Sequence, residues 1–285
     1  MLQRPEALER VAAEAVADLA DDGVVYAEVR FAPELHHTDG LPLDEVVAAV
    51  TAGLRRGERE AAAGGSPVVV NTILCAMRTA DRSDEIAALA VAWRDRDEKV
   101  VGFDLAGAET GYPPSRHARA LALAREAHLR ITVHASEPPD LELIADALAH
   151  GAERIGHGVR LARDVGHDLD GQAVLGPLAQ YVLDREIPLE LAPTCNVQIG
   201  AVPSIGEHPV GEFLRLGFRA TVNTDNRLMS DVAVSSELFA VADAFGFGWP
   251  ELGRLATNAM SASFAPHRLK QRLIDDVLAP AYAVS

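Results

Sequence analysis

The sequence predicts an α/β protein of the parallel-barrel type, and three observations predict it. Short β-branched, apolar runs alternate with amphipathic stretches in strand-to-strand steps of about 20 to 45 residues, the length that β-helix-β units require. Three of those runs end in side chains that carry chemistry. Leu129 to His134 closes on an imidazole with Glu137 just beyond, Arg154 to His157 closes on a second, and Ala220 to Thr224 runs into Asp225-Asn226. In a parallel barrel every strand C-terminus opens on one face, where the loops build a site. With 285 residues and 48% hydrophobic content the chain can bury a large core, and a single domain over residues 1–285 is expected.

Taken in order, Pro5 to Ala20 repeats apolar residues at Leu8, Val11, Ala12, Ala15, Val16 and Leu19, the spacing of one helical face, and Asp21-Asp22-Gly23 ends it. Val24 to Ala32 reads as a strand stopped by Pro33; its Glu28 and Arg30 alternate with apolar neighbours, as barrel-lining or edge positions would. His36-His37 in the following loop reads as a solvated pair, because adjacent side chains diverge. A helix over 43–63 closes at Gly64-Gly65, 68–77 is a strand, 83–95 a helix, 100–107 a strand, and 115–127 a helix capped by Ser115. After the 129–134 strand come a helix at 141–150, the strand at 154–157, a polar insertion around 164–172, a helix to Asp184 and a strand at 187–191. A helix at 210–216 precedes the strand at 219–224. The closing region, from Ser235 onward, is helical with breaks at 246–250 and Pro266. These make seven strands. An open doubly wound sheet is the structural alternative, yet it brings a Gly-rich phosphate loop after its first strand, and Ala32-Pro33-Glu34 stands there instead.

Charge and cysteine content narrow the function classes. The 26 basic against 42 acidic residues leave −16, which argues against nucleic acid or an anionic membrane surface as partner and suits a small neutral substrate. Cys75 and Cys195 both sit in apolar, strand-like runs and are expected as reduced thiols of a cytoplasmic protein. No apolar run reaches the roughly 18 residues of a membrane-spanning helix, and the first residues lack a signal peptide's apolar core.

Five strings carry a resemblance: Asp104-Leu105-Ala106-Gly107-Ala108-Glu109, His134-Ala135-Ser136-Glu137, Arg154-Ile155-Gly156-His157-Gly158, Pro193-Thr194-Cys195-Asn196 and Asn223-Thr224-Asp225-Asn226. In order and spacing they resemble the adenosine deaminase family of barrel metal hydrolases, from about Glu6 to Tyr282. The resemblance implies a (β/α)8 TIM-type barrel holding one zinc ion, and replacement of the 6-amino group of a purine nucleoside by oxygen. It assigns His134 and Asp225 as metal ligands, Glu137 as the acid that protonates purine N1, and His157 as the group that orients and helps deprotonate the attacking water. Gly107 would offer its backbone N–H to N3, and Asn226 would sit against N7.

The sequence departs from the family pattern in three ways. Asn226 stands where many members have Asp, and Ser136 where Gly is usual. The third concerns the family's first strand, which ends in a His-x-His pair supplying two further zinc ligands; this sequence contains no His-x-His. The expectation is therefore a barrel whose first β/α unit is missing from this chain. His117, His128, His150, His167, His208 and His267 have no strand-end setting and read as surface or core residues. Two readings stand beside the zinc-dependent deaminase: a metal-free purine-binding pseudoenzyme, and a barrel subunit whose open edge, between strands 24–32 and 219–224, is completed by another chain in an oligomer.

Overall fold

The computed structural model describes residues 2–283. The chain forms two compact units, one running to Ala108 and including Pro114–Thr132, the other comprising Glu109–Pro113 and the chain from Val133 onward.

In the first unit the predicted alternation is realised. Helix α1 (Pro5–Asp21) has Pro at its first turn, where the missing N–H costs nothing, and strand β1 (Tyr26–Phe31) follows. Then come α2 (Leu43–Ala63), β2 (Val69–Met77), α3 (Ser83–Arg96), β3 (Val100–Ala106), α4 (Ala118–Glu126) and β4 (Arg130–Ala135). The predicted 115–127 helix begins as a tight 3-10 turn, Pro114–His117, before α4. Strands β1 to β4 lie side by side in chain order, all parallel, with Tyr26 opposite Val69 and Gly102 opposite Arg130.

Leu8, Val16 and Leu19 of α1 pack with Val46, Val50 and Leu54 of α2 over Val70 of β2. Val11, expected on the same face, is exposed instead. The two helices approach closely because α2 carries Gly53, where an added Cβ would lie 2.2 Å from the carbonyl oxygen of Glu9. Any side chain there would force the helices apart. None of the six residues of β1 is fully buried, in keeping with the lining or edge role expected of it. His36 and His37 are not a solvated pair. Both are half-buried, with Nδ1 at hydrogen-bonding distance from the carbonyls of Leu2 (2.9 Å) and Leu41 (2.8 Å), which ties the loop down.

The second unit continues from the last residues of β4 through α5 (Glu142–Ala149), β5 (Arg154–His157), a hairpin of β6 (Val165–His167) and β7 (Ala173–Leu175), α6 (Pro177–Asp184) and β8 (Leu189–Leu191). It ends with α7 (Pro193–Gln198), α8 (Val210–Leu216), β9 (Ala220–Val222), α9 (Arg227–Ser230), α10 (Val234–Phe245), α11 (Trp249–Ala262), α12 (His267–Leu273) and α13 (Ala279–Tyr282). Strands β5, β8 and β9 are parallel neighbours, so their C-terminal ends share one edge.

Two expectations are corrected here. The polar insertion folds into the β6–β7 hairpin, whose turn is held by Asp168 Oδ1 accepting from the backbone N–H groups of Asp170 and Gln172. Cys195 lies in helix α7 rather than in a strand, because Pro193 starts a helix directly after β8. The breaks near Gly246 and Pro266 fall where predicted, with Gly246 in the left-handed conformation (φ 65°) that ends α10. Among the described residues no helix is long and apolar enough to cross a membrane.

Candidate active site

The strand ends of the second unit converge on a polar cluster. His157 Nε2 lies 2.9 Å from Glu137 Oε1, and one donor atom each of Glu137, His157 and Asp225 fall within 4.8 Å of one another. The His134 ring is tilted against that of His157, with centroids 5.2 Å apart. Close approach of β4 and β5 makes that contact possible: a Cβ added at Gly156 would lie 3.0 Å from the Cα of His134. Thus His134, Glu137, His157 and Asp225 are brought together from three strand ends, while Asn226, the first residue beyond Asp225, donates from Nδ2 to its Oδ2 at 3.3 Å. Gly107 lies at the end of β3 in the first unit with φ 90°, a conformation that glycine adopts without penalty.

Backbone strain concentrates at the same place. Six described non-glycine residues have positive φ, and three of them are Ser136 (73°), His157 (61°) and Asp225 (53°), each just past or closing a strand. Left-handed backbone costs an L-residue roughly 1–2 kcal/mol, and such strain gathers where side chains must be aimed. The φ of Ser136 supplies a physical reason why glycine suits that position. Ser136 is fully buried, and its hydroxyl accepts the backbone N–H of Arg160 at 3.3 Å.

Three supporting groups lie within the sequence motifs. Buried Glu109 accepts the backbone N–H of Ser136 at 2.7 Å and of Glu137 at 3.3 Å, fixing the turn that presents Glu137. Replacing it by Ala leaves one buried and one partly buried donor unpaired, and a loss of about 2 kcal/mol in chemical denaturation is expected; unchanged stability would remove it from this role. The Cys195 thiol donates to Asp225 Oδ2 at 2.9 Å, and burial pushes its pKa up to about 12, so it remains a neutral donor throughout the physiological range. Asn196, fully buried in α7, places Nδ2 3.0 Å from His157 Nδ1, and behind it His208 Nε2 lies 3.0 Å from Asn196 Oδ1. His208, expected as a surface or core residue, is a core residue, 2% exposed, and it supports the site through Asn196. No spacing in the sequence signals it, because it reaches the site only through Asn196.

Residues 1–280 match the family model described as adenosine deaminase. The chain belongs to the adenosine deaminase family. The adenosine deaminase of Mycolicibacterium vanbaalenii is 53% identical over 285 residues, which span all of this chain and 78% of that protein. Among solved structures, an adenine deaminase from Arthrobacter aurescens superposes with a TM-score of 0.82 at 27% identity, covering 99% of this chain and 81% of that one. A Burkholderia amidohydrolase described with bound Zn gives 0.84 at 23% identity over 98% of this chain and 74% of that one, a likeness of fold. The expected TIM-type α/β fold is borne out, and the chain is a hydrolase of the deaminase class from a metal-dependent family.

The donor types present suit a metal of the kind this family uses, with His134 and Asp225 able to offer two of the three protein ligands a catalytic zinc takes. Imidazole and carboxylate ligands are those of catalytic zinc sites. Both the Cys195 thiol and the Asn226 amide fall on Oδ2 of Asp225, and among the described residues no hydrogen bond falls on Oδ1. Partners on one oxygen would orient the carboxylate and leave its other oxygen available to a metal.

Proposed function

We propose that the chain deaminates adenosine hydrolytically, with one zinc ion held by His134 and Asp225. The observation that carries the reading is the Glu137–His157 contact of 2.9 Å beside Asp225, in a chain 53% identical throughout to an adenosine deaminase. In the reaction water oxygen bonds to C6, the C6–N bond breaks and ammonia leaves; of water's two protons one departs with the ammonia and the other returns to Glu137, replacing the one it gives to N1. Glu137 supplies the proton that N1 needs as C6 becomes tetrahedral, a role a carboxylic acid fills at hydrogen-bonding distance. His157 holds the attacking water on the side of C6 facing Asp225. Asn226 recognises N7 of the ring, and the family resemblance assigns the N–H of Gly107 to N3. Bound zinc supplies Lewis acidity, which makes water acidic enough to attack near neutral pH. Reduced Cys75 and Cys195 accord with a cytoplasmic setting.

The test pairs elemental analysis of the purified chain with the loss of adenosine absorbance. Near-stoichiometric zinc, conversion of adenosine, loss of activity on chelation and its return with zinc are expected. Adenosine binding without conversion in zinc-replete protein would replace this reading with the purine-binding pseudoenzyme.

A further inference from the structure

We infer that His208, acting through Asn196, holds His157 as the tautomer protonated on Nε2, which makes both residues positioning residues for the Glu137–His157 pair. The chain of hydrogen bonds can be followed from its backbone anchor. The N–H of Val210 points at His208 Nδ1 over 3.1 Å. A backbone N–H can only donate, so Nδ1 presents a lone pair. His208 is 2% exposed, and burial favours the neutral ring, whose single proton must then sit on Nε2. That proton faces Asn196 at 3.0 Å and requires the amide oxygen there. The N–H of Ala192, 3.3 Å from the same oxygen, independently excludes the flipped amide.

Asn196 then has only its NH2 to offer the next ring. At 3.0 Å from His157 Nδ1 it can only donate, so Nδ1 of His157 is a lone pair too. Neutral His157 carries its proton on Nε2, 2.9 Å from Glu137 Oε1, and donates to it. Asn196 is fully buried, His208 is 2% exposed and His157 3%, so no solvent competes for the contacts of Asn196 with the two rings.

The consequence rests on the deaminase reading. With Nδ1 occupied and Nε2 protonated, His157 has no site from which to take a proton from water. Its single N–H faces Glu137 and steadies it, so a water at that edge of the ring meets a donor and not a base. This departs from the role in water deprotonation that the family resemblance implies for His157. A carboxylate in place of Asn196 could only accept, and would draw the His157 proton to Nδ1.

The experiment is long-range proton–nitrogen correlation on the full ¹⁵N-labelled chain, with and without zinc, the His157 signals being assigned by their loss in His157→Asn. Wild type should show the Nε2–H pattern for both His157 and His208. In Asn196→Asp, His157 should move to a protonated Nδ1, with kcat for adenosine falling about 10–100-fold and KM changing much less. His208→Phe should lose the single His157 pattern, whereas His208→Gln, whose amide N–H reproduces the Nε2 donor, should restore it. A protonated Nδ1 in wild-type His157, or an unchanged Nε2–H pattern in folded Asn196→Asp, overturns the inference. If His208→Phe does not fold, those two spectra still decide. Wild-type protein with the Nε2–H pattern but no turnover upholds the tautomer assignment and sinks the deaminase reading.

Discussion

Glu137→Gln lowers kcat for adenosine by about 10²–10⁴-fold, the range typical of removing a positioned general acid, with little change in KM. The substitution is nearly isosteric. Its amide oxygen can still accept from His157 Nε2, 2.9 Å from the present carboxylate, and its backbone N–H still reaches Glu109. Only the transferable proton is lost. Because Glu137 is partly exposed, the change creates no buried unpaired charge, and the variant folds as the parent does. The measurement is steady-state kinetics on protein of matched zinc content. A variant that keeps most of the wild-type kcat would take the acid role away from Glu137.

The second large effect is acid sensitivity traceable to one buried ring. Burial, aided by the neighbouring His157, pushes the pKa of His208 down from 6.5 to about 3. The unfolded chain therefore binds a proton at this site between those values while the native chain does not. By linkage, stability rises with pH across that window: the contribution of the neutral ring is fully present above about pH 6.5 and is lost progressively as pH falls toward 3. At about 1.4 kcal/mol per pH unit, lowering the pH from 6.5 to 4 removes roughly 3 kcal/mol through this group. Other groups titrate in the same range, so the comparison is with His208→Gln, which cannot titrate. Chemical denaturation of both proteins between pH 7 and 4 should give a steeper loss for wild type. Parallel slopes would mean that His208 is protonated in the native state.

Much of the fold and the principal groups of the candidate site were legible in the order of residues. Strands and helices announce themselves through local periodicity, and a polar side chain at the end of an apolar run is conspicuous. His134, His157 and Asp225-Asn226 were found that way, and Glu137 by its offset of three from His134. Local reading failed where a neighbour decided the outcome. Val11 fits the apolar face of α1 but points to solvent, the 164–172 segment pairs into a hairpin, and His36 and His37 are tied to backbone carbonyls.

The order of residues carries the α/β repeat, the strand-end motifs on which the family resemblance rests, and the residue types available for catalysis. Those depend on periodicity and spacing within one element, which the order of residues states directly. Which partners surround the reacting groups follows from packing: Glu109 under the Glu137 turn, the Cys195 thiol on Asp225, and Asn196 with His208 behind His157. A hydrogen bond of 3 Å between residues dozens of positions apart has no local signature, since its donor and acceptor meet only once the strands have paired and the helices have packed.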